Sequence, residues 1–167
     1  PSAPGTLQHL AFRAEGMARS LILQLVGLHS PTELALAGFV GADDTDDWEW
    51  LKWLPHVDSV TSPIPCWPLS DDPASSLRLV NALEGLLEAR RSGFGSRTEM
   101  RSHLGAETRN DDGQGEAVTS PPIIPAVVVL VLEEHRADIS RLTALAEQGP
   151  DLGIHLIWVA RDRASIP

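Results

Sequence analysis

The 167-residue chain has no tyrosine, a single cysteine and 13 basic residues against 23 acidic ones. Each shortage narrows what the protein can do. Cys66 stands in Pro65-Cys66-Trp67-Pro68 with no second cysteine to pair with, so neither a disulfide framework nor a cysteine-built zinc site is available, and a reducing compartment fits. The net charge of −10 comes without any run of lysine or arginine. A nucleic-acid module normally presents a basic face that releases counterions from phosphate, so direct DNA or RNA binding is not expected. No apolar run approaches the roughly 20 residues needed to cross a bilayer. The N-terminus also lacks a basic stretch leading into an apolar one, so no direct membrane insertion is expected of this segment.

What remains is ordinary for a globular domain: 43% hydrophobic and 22% charged residues, with 13 Gly and 13 Pro. A chain of this size can bury one continuous core, and a single domain over 1–167 is the expectation.

Leu7 to Phe12 alternates loosely and meets Glu15-Gly16, which reads as a first strand and turn. Leu21, Leu25 and Leu28, with Ile22 beside them, then recur at helical spacing until His29-Ser30-Pro31. The near-continuous apolar run Leu34–Val40 reads as a strand buried on both faces. Asp43 to Asp47 closes it and caps a short helix through Trp48 and Leu51. The proline-rich stretch 63–68 can be a strand only at an edge. Asp71-Asp72-Pro73 opens a long helix that uses Leu79, Leu83, Leu86 and Leu87 and ends near Gly93. Residues 93–122 are mostly small, polar or charged and read as a disordered insertion, with a helical turn near Met100.

Ile123–Leu132 is the strongest strand signal, β-branched and without polar alternation, and it should be central. A helix using Ile139, Leu142, Leu145 and Ala146 follows, stops at Gln148-Gly149-Pro150, and leads into a strand over Ile154–Ala160. Strands alternating with helices predict an α/β three-layer sandwich around a mostly parallel sheet, the layout of a P-loop NTPase.

A working phosphate-binding loop needs G-x-x-x-x-G-K-[ST], in which bare backbone wraps the phosphates while lysine and hydroxyl reach phosphate and magnesium. The register falls on Arg13 to Ser20. Arg13 and Ala18 replace the glycines, Arg19 replaces the lysine, and only Ser20 keeps its type, so this is a degenerate loop. A Walker B strand ends in Asp followed by Glu; here the apolar strand ends in Glu133-Glu134, acids that also suit a helix N-terminus. The six histidines show no H-E-x-x-H spacing, and no G-x-S-x-G elbow marks a nucleophile. The expectation is therefore no catalytic residue, no metal and no cofactor. The tract Trp48-Glu49-Trp50-Leu51-Lys52-Trp53 concentrates three of five tryptophans, either as core or as a docking surface, with Trp48, Trp50, Lys52 and Trp53 as the interface candidates.

Three segments together resemble the EccC family, FtsK/SpoIIIE-type ATPases of type VII secretion systems. They are Ala18–Leu25 with His29-Ser30-Pro31, Asp47–His56, and Leu145–Ala160. The likeness is to the ATPase-like domain of unknown function between the membrane anchor and the first motor domain. It implies a RecA-like fold, a cytoplasmic piece of a membrane-anchored translocase, neighbouring ATPase domains and other secretion subunits as partners, and a hexamer through the parent protein. The departures at Arg13, Ala18, Arg19 and Glu133 imply a silent structural or regulatory module. A weak, atypical nucleotide site built from Arg19, Ser20, Glu133 and Glu134 is the alternative.

Overall fold

The computed structural model describes residues 4–41, 45–106, 125–132 and 138–159, with side chains from 14–41, 46–93, 125–132 and 138–159. Helix α1 (Pro4–Leu28) leads into strand β1 (Leu34–Phe39), then helix α2 (Thr45–Trp48) and a 3-10 segment over Glu49–Trp53. Strand β2 (Leu69–Ser70), helix α3 (Pro73–Ala106), strand β3 (Ala126–Leu132), helix α4 (Ile139–Gln148), a 3-10 turn over Pro150–Leu152 and strand β4 (Ile154–Val159) complete the order.

All four strands are parallel, in the order β2-β1-β3-β4. Leu34 to Phe39 of β1 register with Ala126 to Val131 of β3, whose Val127 to Leu132 register in turn with Ile154 to Val159 of β4. Buried on both faces, β1 and β3 need no polar alternation, and successive side chains feed two separate cores. Ala35, Ala37, Phe39, Val127, Val129 and Val131 face α3 and α4 through Leu79, Leu83, Leu142 and Leu145. Leu34, Leu36, Val128 and Leu130 face the other way, toward Ala18 and Ile22 of α1 and toward Trp48 and Leu51. The domain is therefore the expected α/β three-layer arrangement, consistent with a P-loop-NTPase-like layout.

The connection from β1 to β2 runs over the Trp48 face, whereas α3 and α4 carry the chain back over the opposite face, from β2 past β1 to β3 and then β4. Strand order thus reverses direction between β1 and β3, the switch point at which open parallel sheets leave a crevice.

Five expectations are corrected. Residues 7–12 are not a strand but part of α1, a continuous helix through Gly16. The loose alternation there is also compatible with helical spacing, and the long helix outweighs it. Within α1, Ala18 and Ile22 are the buried positions, while Leu21 and Leu28 face outward. The stretch 63–68 stays outside the sheet because proline lacks the N–H a ladder needs; pairing starts at Leu69, with Pro68 supplying only its carbonyl to Gly38 N at 2.8 Å. Helix α3 does not end at Gly93 but runs to Ala106, so helix occupies much of the expected insertion, whose remainder, 107–122, lies outside the described residues. On α4, Leu142 and Leu145 form the buried face, and Ile139 is exposed.

Candidate functional site

The two segments singled out for chemistry, Arg13–Ser20 and the tryptophan tract, meet each other. Residues 13–20 lie inside α1, so their backbone N–H groups serve an α-helix and are not gathered round a turn. Ala18 is buried against the sheet, and Ser20 is exposed and accepts from Gln24 Nε2 at 3.3 Å. The Arg19 guanidinium sits over the Trp48 ring, 5.0 Å from its centroid, with Glu15 at 3.6 Å and Asp47 at 4.0 Å. Its Nε is buried without a hydrogen-bond partner. Glu133 and Glu134 lie outside the described residues, as does the side chain of Arg13.

The tract divides by exposure. Trp48 is 2% exposed and stacks on half-buried Trp50 at 6.2 Å between centroids, whereas Trp53 is 78% exposed. Lys52 pairs with Glu49 and lies 5.2 Å from the Trp53 ring centroid. The tract ends on His56, buried, whose Nε2 donates to the His29 carbonyl oxygen at 2.8 Å and so ties it to the C-terminus of α1. With Nε2 as donor, Nδ1 is left buried and unpartnered. Sequence reasoning grouped Trp48, Trp50 and Trp53 together because spacing alone does not show which ring the sheet covers.

A cleft of about 450 Å³ opens beside the tract, at the carboxyl ends of β1 and β2. Val40, Trp48 and Leu69 are among its apolar lining, and Lys52, Asp72 and Arg78 among its charged groups. The first turn of α3 points into this region, and the end of a helix normally attracts anions. Here it is already occupied from within: Asp72 accepts from Ala74 N at 2.8 Å and Ser75 N at 3.1 Å. Those bonds, with the Ser75 hydroxyl first among them, hold the Asp72 carboxyl below its ordinary range. Cys66, also on the cleft, has its thiol pushed up by burial, which keeps it protonated and a poor nucleophile. Along the chain, β1, β2 and β3 are each followed by an acidic pair, Asp43-Asp44, Asp71-Asp72 and Glu133-Glu134. Among the described residues, no group of His, Cys, Asp and Glu could hold a metal ion, and no helix is long and apolar enough to cross a membrane.

No protein-family profile matches the chain, and no solved structure does. Curated relatives do match. The chain is 30% identical over 106 residues, 64% of its length, to the ESX secretion system protein EccC of Thermomonospora curvata, of which this is 6%. It is 38% identical over 98 residues, 55% of its length, to the ESX-3 secretion system protein EccC3 of Mycobacterium tuberculosis, of which this is 7%. Over 44 residues, 26% of the chain, it is 48% identical to the ESX-4 secretion system protein EccC4 of Mycobacterium tuberculosis, of which this is 4%. The match thus spans a small fraction of each relative. Over these parts of its length the chain, with its parallel α/β fold, is similar to EccC proteins of several ESX secretion systems.

Proposed function

We propose that this chain is a non-catalytic, ATPase-like structural or regulatory domain of an EccC-type, membrane-anchored translocase. It takes part in protein export by contact with neighbouring ATPase domains and other secretion-system subunits. The observation that carries this reading is the state of residues 13–20: they form an unbroken helical segment with Ala18 buried and Arg19 held by Trp48, Glu15 and Asp47. A phosphate cradle would have to unwind that helix and pull Arg19 off the indole. Asp71 and Asp72, which line the cleft, add to this, because a triphosphate brought there would meet their carboxylates.

Trp67, Lys52 and Arg78 around the cleft favour a second reading, a weak and atypical nucleotide site. Titration of the chain with fluorescent ATP and magnesium separates the two. The first expects no saturable binding below about 1 mM. Micromolar binding lost in Arg19→Ala or Arg78→Ala overturns it.

A further inference from the structure

Helix α1 carries a feature that neither the core nor the tryptophan tract uses. Leu7, Leu10, Ala14, Met17, Leu21, Gln24 and Leu28 follow one another at alternating spacings of three and four, the repeat that brings residues to one seam of a helix paired lengthwise with another. From Met17 onward this seam lies away from the sheet: Met17 is 74% exposed, Leu21 43% and Leu28 78%, whereas half-buried Ala14 still packs on the core with buried Ala18 and Ile22. From Gly16 to Leu28 the only charged residue is Arg19, and it turns inward onto Trp48. A solvated helix face in a chain of net charge −10 would be expected to share that charge; this one carries none over about three turns.

We infer that the outward seam of α1 docks a helix of another domain or subunit of the parent assembly, one with its own apolar three-four seam and basic flanks. The inference rests on the reading of this chain as a contact module and names the surface, which is α1 and not the tract around buried Trp48. Three arguments fix the occupant. The alternating spacing selects a helix lying along α1 over a strand or a loop. A second copy would bring another net −10 against the first, and the flanking positions Ser20 and Gly27 have no charges with which to offset it. The described part of the seam also offers on the order of 400 Å² of apolar area, about half the roughly 800 Å² per side of a stable interface between free chains. A partner tethered in the same assembly needs less, because its effective concentration is high.

The test places a photo-crosslinking benzoylphenylalanine at Met17 or Leu21 in the full-length parent, assembled in its secretion complex, with Val60, more exposed than either, as the control. Crosslinked peptides are then identified by mass spectrometry. The expected product joins Met17 and Leu21, but not Val60, to an apolar-seamed helix outside this domain. In parallel, Met17→Glu with Leu21→Lys should leave the melting temperature of the 167-residue chain within about 2 °C. The same pair should lower recovery of the assembled complex at least about tenfold. Crosslinks to α1 of another copy, with a dimer in sedimentation of the isolated chain, would overturn the proposal in favour of self-association. Absence of any specific crosslink with normal assembly overturns it outright. So does a large loss of melting temperature, which would mean that the seam is packed within the domain. ATP binding is measured separately, so failure of the non-catalytic reading and failure of this docking surface leave different records.

Discussion

The guanidinium of Arg19 lies 5.0 Å from the centre of the Trp48 ring and joins α1 to the segment that leaves β1. A position read as a lost phosphate-loop lysine thus serves as a packing cation, and a tryptophan read as a docking candidate is the floor it rests on. Replacing Trp48 by alanine removes a fully buried indole and should cost about 3–5 kcal/mol. Trp53→Ala, at an exposed position, should stay within about 0.5 kcal/mol. Urea unfolding of the two variants checks this, and equal losses would contradict the division of the tract.

Arg90 is a second cation with a structural task. From α3 its Nη1 donates to the carbonyls of Leu152 at 2.7 Å and Gly153 at 3.0 Å, and its Nη2 to that of Pro125 at 2.5 Å. It thereby holds the start of β3 and the turn into β4 together. Arg90→Ala takes their donor from the Leu152 and Pro125 carbonyls, while Gly153 still accepts from Val127 N at 2.8 Å, and the expected loss is about 2–4 kcal/mol in chemical denaturation. Arg90→Lys, a point charge unable to fork between two strand starts, should recover less than half of it.

How much of this was legible follows from what burial does to a sequence. β1 and β3 were plain as apolar runs because strands covered on both faces leave no polar register to interpret, and α4 was plain from its stop at Gly149-Pro150. The first turn of the supposed phosphate loop was not, because Leu7 to Phe12 satisfies a loose alternation and a helical repeat alike, and only tertiary packing of Ala18 and Ile22 decides between them. β2 was displaced because two ladder residues after Pro68 leave almost no pattern. The site's decisive contact, Arg19 on Trp48, joins residues distant in the chain, and no spacing rule announces such a pair.

Acid should weaken the fold in a defined direction. The Glu84 carboxyl is held below its ordinary range by hydrogen bonds from Arg141, and Asp138 and Asp72 are lowered by Ser140 and Ser75. In each case the unfolded state takes up its proton first as pH falls, so the stability these groups contribute is present above about pH 5 and drains away below about pH 4. Glu84→Gln should flatten part of that decline. Melting temperatures between pH 3 and about pH 7, read with and without the substitution, test the sign, and a fold that strengthens on acidification would contradict it.

Two glycines in helical surroundings should respond oppositely to the same added methyl. At Gly149, just past α4, a Cβ would stand 2.5 Å from the carbonyl oxygens of both Leu145 and Ile154, and it is these backbone atoms, which also close the turn through Gly149 N to Leu145 O at 2.8 Å, that would have to move. Gly149→Ala should therefore cost about 1–3 kcal/mol. Gly85, on the outer side of α3, has nothing within 4 Å of the same atom. There alanine restricts the unfolded chain and favours the helix, so Gly85→Ala should gain about 0.5–1 kcal/mol. Unfolding midpoints that shift in opposite directions meet the expectation, whereas a harmless Gly149→Ala would show that the turn from α4 into β4 is looser than its contacts require.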